Sequence, residues 1–130
     1  MKRSVFYFLA VLAFATVVIS ACSEDETTPP KTVSELLLGK WQYEYMKTYV
    51  SGVCVDTTLF TVNDYVDIRN DGKVYIYIDG GYDTSTYKVI SDTKILTDNT
   101  DTMNIVSLSE TSMILNQIDG IYKSESKFKK

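Results

Sequence analysis

Ten tyrosines, two cysteines and seventeen carboxylates are the residues of this 130-residue chain best equipped for binding or chemistry, and no histidine accompanies them. Histidine is the commonest general base, the commonest zinc ligand and the usual partner of a nucleophilic Ser or Cys. Its absence removes the central residue from most hydrolytic mechanisms. No spacing among the carboxylates singles out an acid–base pair. Asp67 to Gly72 begins like a calcium loop, but Arg69 stands where the EF-hand pattern needs Asp or Asn, and Ile78 stands where its closing Glu belongs. Asp98, Asn99 and Asp101 are close enough in sequence to hold a cation loosely, yet solvated turn residues are the simpler reading. The expectation is a protein that is not an enzyme and carries neither metal nor other cofactor.

The two cysteines have different settings. Cys54 lies between Val53 and Val55, where a lone cysteine reads as a small buried hydrophobe. Cys22 follows Ile19-Ser20-Ala21 at the end of an uncharged, largely apolar run from Val5, itself preceded by Lys2 and Arg3. A basic start, an apolar stretch and small residues at its end are the three parts of a secretory signal. Two cysteines exclude a disulfide framework and a four-cysteine zinc site. The formal net charge is −4, and because both basic residues of the signal precede Cys22 while every acidic residue follows it, the remainder is more negative still. Nucleic acid is not an expected partner.

Ile19-Ser20-Ala21-Cys22 resembles the lipobox of bacterial lipoproteins, with Ile19 in place of the more usual Leu. The resemblance implies cleavage before Cys22 and lipid attachment to it, so that residues 1–21 are the signal peptide. An apolar run of about 17 residues is at the lower limit for spanning a bilayer. Two or three acyl chains, by contrast, hold a protein firmly to one. Ser23-Glu24-Asp25-Glu26 is similar to the export signal of Bacteroidetes-type lipoproteins displayed on the outer face of the outer membrane, with a periplasm-facing location as the alternative. Residues 22–32, with Thr27-Thr28-Pro29-Pro30, also read as a polar tether.

Beyond the tether, residues 33–122 read as one domain and 123–130 as a polar tail. Val33-Ser34-Glu35-Leu36-Leu37-Leu38 predicts a short helix, capped by Thr32 or Ser34 and stopped by Gly39. The rest consists of short runs rich in Tyr, Val, Ile and Thr, with turn residues at intervals of about ten, the pattern of an antiparallel all-β domain of about eight strands. The clearest hairpin is Asn70-Asp71-Gly72. Period-two alternation puts Trp41, Tyr43, Tyr45 and Tyr49 on one side of the first strand. It puts Val74, Ile76 and Ile78 opposite Tyr75 and Tyr77 on another. Apolar residues on both sides suit a small closed barrel or a sandwich.

Leu38-Gly39-Lys40-Trp41 at the head of the first long strand resembles the Gly-x-Trp element of lipocalin-like proteins. The order of short helix, this element, Asn70-Asp71-Gly72-Lys73-Val74-Tyr75, Thr86-Tyr87-Lys88-Val89 and a final hairpin is similar to small lipocalin-like domains on Bacteroidetes lipoproteins. The resemblance implies a small antiparallel up-and-down barrel, with Gly39 and Trp41 structural at its closed base and a cavity that is short or filled. Tyr43, Tyr45, Tyr75 and Tyr77 are the candidate ligand-binding residues, since each pairs an apolar ring with a polar tip. The expected partners are the membrane, through the lipid anchor, and either a small apolar or amphipathic ligand or a surface protein. A structural or interaction module with a filled core is the alternative function.

Overall fold

The computed structural model describes residues 28–130, so the signal segment, Cys22 and the acidic tetrad lie outside the described residues. The domain begins with helix α1 (Val33–Leu37), whose start is fixed by a capping box. Thr32 is extended, its hydroxyl accepts from the Glu35 amide, and the Glu35 carboxylate accepts from the Thr32 amide at 2.7 Å. Two otherwise orphaned amides are satisfied reciprocally. At the other end Leu38 is extended and Gly39 has φ of +110°, which turns the chain directly into the first strand.

Nine strands follow: β1 (Gly39–Val50), β2 (Val53–Leu59), β3 (Tyr65–Ile68), β4 (Lys73–Ile78), β5 (Gly81–Ser91), β6 (Lys94–Thr97), β7 (Asp101–Leu108), β8 (Ser112–Asp119) and β9 (Tyr122–Lys129). All pairings are antiparallel, and from β3 onward each strand pairs with the next. Closure comes from β1, which pairs with β3 through Gly39 to Gln42 on one edge and with β9 along its length on the other. Eight strands thus form a closed up-and-down barrel. The ninth, β2, folds back on the outer half of the β1 edge, from Tyr45 to Val50, and has no second neighbour among the described residues.

The chain reverses economically. Ser51-Gly52 and Asp79-Gly80 both have positive φ in two-residue hairpin loops, the backbone that matches the twist of the flanking strands. At Asn70-Asp71-Gly72 only Gly72 is in the left-handed region. Asp71 instead accepts from the Lys73 amide at 2.9 Å, which tightens a longer turn.

The core is one cluster: Leu37, Trp41, Val66, Ile68, Ile95, Met113, Leu115 and Phe128. Phe128 belongs to a segment whose composition suggests a polar tail, and the structure corrects that expectation. In Tyr122–Lys129 the residues Lys123, Glu125, Lys127 and Lys129 alternate with Tyr122, Ser124, Ser126 and Phe128, so the charged set faces solvent while Ser126 and Phe128 are buried. Cys54 is also corrected: it is exposed, because β2 stands at a sheet edge with every residue from Val53 to Leu59 exposed.

Candidate binding cavity

The barrel interior is not completely filled, and the space in it is partly open to solvent. A cavity of about 180 Å³ lies above α1, walled mainly by apolar side chains that include Val66, Ile68, Val74, Ile76 and Ile95. Met103 and Met113 contribute the most adaptable parts of the wall. Every lining residue is uncharged, and the polar contribution comes from hydroxyls: Ser85, Thr97, Ser126, Tyr43 and Tyr87. Thr97 ends β6 at the barrel end remote from the helix, and Ser85 lies one inward position from Tyr87 toward that same end.

The floor is held by Trp41 and Leu37, both fully buried. The Trp41 Nε1–H donates to the Leu37 carbonyl at 2.7 Å, so the indole satisfies one of the carbonyls left open where α1 stops. Lys130 takes two more, donating from Nζ to the Leu36 and Leu38 carbonyls at 3.2 and 2.8 Å, while its ammonium sits 4.3 Å from the Trp41 ring centre. Gly39 and Trp41 occupy the base that the Gly-x-Trp element leads one to expect.

Of the four candidate tyrosines, the structure brings one to the cavity. Tyr43 packs between Phe60 and Phe128, with ring centres 4.6 and 4.4 Å away. This burial pushes its hydroxyl pKa up to about 12. Tyr45 does not share that face, because the β1–β9 register shifts between Tyr43 and Tyr45, and this bulge turns Tyr45 outward. Its hydroxyl meets Glu125 at 3.5 Å and Lys47 lies over its ring. Tyr75 and Tyr77 alternate with the cavity residues Val74 and Ile76, and so stand on the outer surface.

There they join an external aromatic ladder. Tyr77 stacks on Tyr65 at 4.5 Å and meets Tyr82 at 5.1 Å, while Tyr75 donates to Asp71 at 2.8 Å beneath the Arg69 guanidinium. Stacked rings and flanking cations use up the aromatic faces, which suits a packed outer wall. Asp98 is likewise engaged: its carboxylate accepts from the Thr86 amide at 3.0 Å, and that hydrogen bond holds its pKa below the ordinary value. No group of His, Cys, Asp and Glu arranged to hold a metal occurs among the described residues.

No known family model matches the chain, and no curated protein is similar to it. The closed eight-stranded barrel with a short helix at one end is consistent with a lipocalin-like fold, and such a barrel is consistent with a ligand-binding module in general.

Sequence reasoning misses Ser126, Met103 and Ser85 as cavity residues. Ser126 was legible in principle, since Tyr122 to Lys129 alternates strictly. The low apolar content of that segment masks the signal, because Phe128 is its one aliphatic or aromatic residue after Tyr122.

Proposed function

We propose that the protein is a lipid-anchored cell-envelope lipoprotein whose barrel binds a small apolar or amphipathic ligand. The observation that carries the binding half is the partly open cavity of about 180 Å³, with its largely apolar wall and a few hydroxyl-bearing residues. An enclosed void of similar size lined by Leu, Ile and Phe takes up a small apolar molecule, because unfilled lining lacks contacts that a ligand restores; this pocket has a comparable apolar wall and is partly open to solvent. The anchoring half rests on the sequence around Cys22. Surface display on the outer membrane is the location proposed, on the strength of the acidic tetrad after Cys22.

Each half has its own test. Replacing Cys22 with Ala is expected to release the protein from membrane fractions, and a wild-type protein lacking acyl mass would end the anchoring claim. The Cys22→Ala protein titrated with diverse apolar probes should show saturable shifts of the Met103 and Met113 methyl resonances. Flat titrations across the panel would remove the binding claim.

A second reading, a protein-interaction module of a surface assembly, is favoured by β2. Among the described residues that strand leaves one backbone edge unpaired, with Val53, Val55 and Leu59 between 57% and 77% exposed and Asp56 its one charge. Natural proteins usually blunt such edges with Lys, Pro or a covering segment. If this reading holds, Val55→Lys should abolish partner binding while leaving the cavity titration unchanged.

A further inference from the structure

We infer that the ligand is neutral, about the size of a single ring, and carries one hydroxyl or carbonyl group that is held by Ser126 and Tyr43. This rests on the binding reading above and narrows it in three respects, each from a separate observation.

Size comes first. The cavity holds about 180 Å³, against roughly 150 Å³ for an engineered cavity that accepts benzene. A compact molecule about the size of one ring is the ligand this comparison indicates.

Charge comes second. Neither Lys, Arg, Asp nor Glu contributes to the lining. A carboxylate or ammonium moved into such a wall loses its hydration and gains no counter-ion, a cost that apolar contact over so small an area does not offset. The wall therefore selects against both signs of charge.

Hydrogen bonding comes third. The lining hydroxyls are not equivalent. Tyr87 donates to the Arg69 carbonyl at 2.9 Å, Thr97 to the Asp101 carbonyl at 3.1 Å, and Ser85 to the Thr86 carbonyl at 3.3 Å. Ser126 is 9% exposed, lines the cavity, and its hydroxyl makes no hydrogen bond among the described residues. The Tyr43 hydroxyl makes none there either, and Tyr43 stands diagonally across the β1–β9 ladder from Ser126, opposite Phe128. No buried side-chain oxygen lacks a partner among the described residues, so these two hydroxyls keep accessible surface toward the cavity, where a ligand hydroxyl or carbonyl can hydrogen-bond to them.

The test uses four probes on the Cys22→Ala protein: benzyl alcohol, toluene, benzoate and palmitate. Benzyl alcohol and toluene should shift the Met103 and Met113 methyl resonances saturably, whereas benzoate and palmitate should not. Ser126→Ala should weaken benzyl alcohol by about three- to tenfold, the range for loss of one neutral hydrogen bond, and leave toluene within twofold of wild type. Tyr43→Phe provides the same comparison in a second variant, and retained toluene binding shows that the cavity is intact. Benzoate or palmitate binding as well as benzyl alcohol would overturn the ligand class while leaving a binding barrel. Unchanged benzyl alcohol affinity in both variants would overturn the assigned anchor. If no probe saturates, this inference and the binding reading fall together.

Discussion

Trp41 and Leu37 are joined through the indole N–H and the last carbonyl of the helix, a 2.7 Å bond between two fully buried residues four positions apart. The bond couples the helix to the first strand, so the floor of the cavity is not an independent lid. Trp41→Phe keeps most of the apolar area but leaves the Leu37 carbonyl buried without its donor, at a cost of about 1–3 kcal/mol. Trp41→Ala adds a cavity and should cost about 3–5 kcal/mol. Denaturant unfolding of the two variants measures both.

Tyr43 predicts an alkaline limb. Its folded pKa of about 12 lies above the ordinary value of 10.0, because burial disfavours the phenolate. The folded state therefore holds its proton longer than the unfolded chain. The stabilisation is complete below pH 10 and is lost as pH rises through 12, amounting to roughly 2–3 kcal/mol. Tyr43→Phe should flatten stability between pH 10 and 12, and phenolate absorbance should show one tyrosine fewer titrating late.

Asp64 predicts an acid limb. It is one of the two buried polar residues among those described, and its carboxylate accepts from the Thr61 amide at 2.6 Å, the Thr61 hydroxyl at 2.8 Å and the Asp79 amide at 2.9 Å. These bonds, that from Asp79 foremost, hold its pKa below the ordinary 3.8. The stabilisation is present above that ordinary value and is lost as pH falls through the lowered one. Asp64→Asn should lower the thermal midpoint at pH 7, and the difference between wild type and variant should narrow as pH falls below the ordinary carboxylate range. An equal deficit at neutral and acid pH would show that the charge is immaterial.

Cys54 predicts accessibility. The thiol is exposed on β2, against the expectation of a buried hydrophobe. A maleimide should label it stoichiometrically in the native protein at the rate found in denaturant, within a few-fold. Protection by several orders of magnitude would mean that β2 is covered.

The residues that sequence reasoning placed well are those whose signal is local. The cap, expected at Thr32 or Ser34, lies at Thr32, and the Gly39 stop and the reversal at Asn70-Asp71-Gly72 also fall where local residues place them, although only Gly72 takes the positive φ expected of Asp-Gly. What was not legible depends on partners far along the chain. The bulge that turns Tyr45 away from Tyr43 exists only in register with β9, and the exposure of Cys54 follows from β2 lacking a second neighbour. Neither fact can be read from alternation within one strand. Tyr75 and Tyr77 were sorted correctly to the face opposite Val74 and Ile76, but which face enclosed the cavity was settled by closure of the sheet.

The seam between β1 and β9 has a kinetic consequence. Tyr45 and Glu125, which meet across it, are 80 residues apart, whereas every other seam of the closed barrel joins strands adjacent, or nearly so, in sequence. Hairpins can form quickly and independently, but joining the first strand to the last must overcome the entropy of a long loop. A chain released N-terminus first has no partner for that edge of β1 until Tyr122–Lys129 arrives, so until then it exposes a second open edge beside β2. The time spent in that state, more than the stability of the finished barrel, would set how readily the nascent protein self-associates.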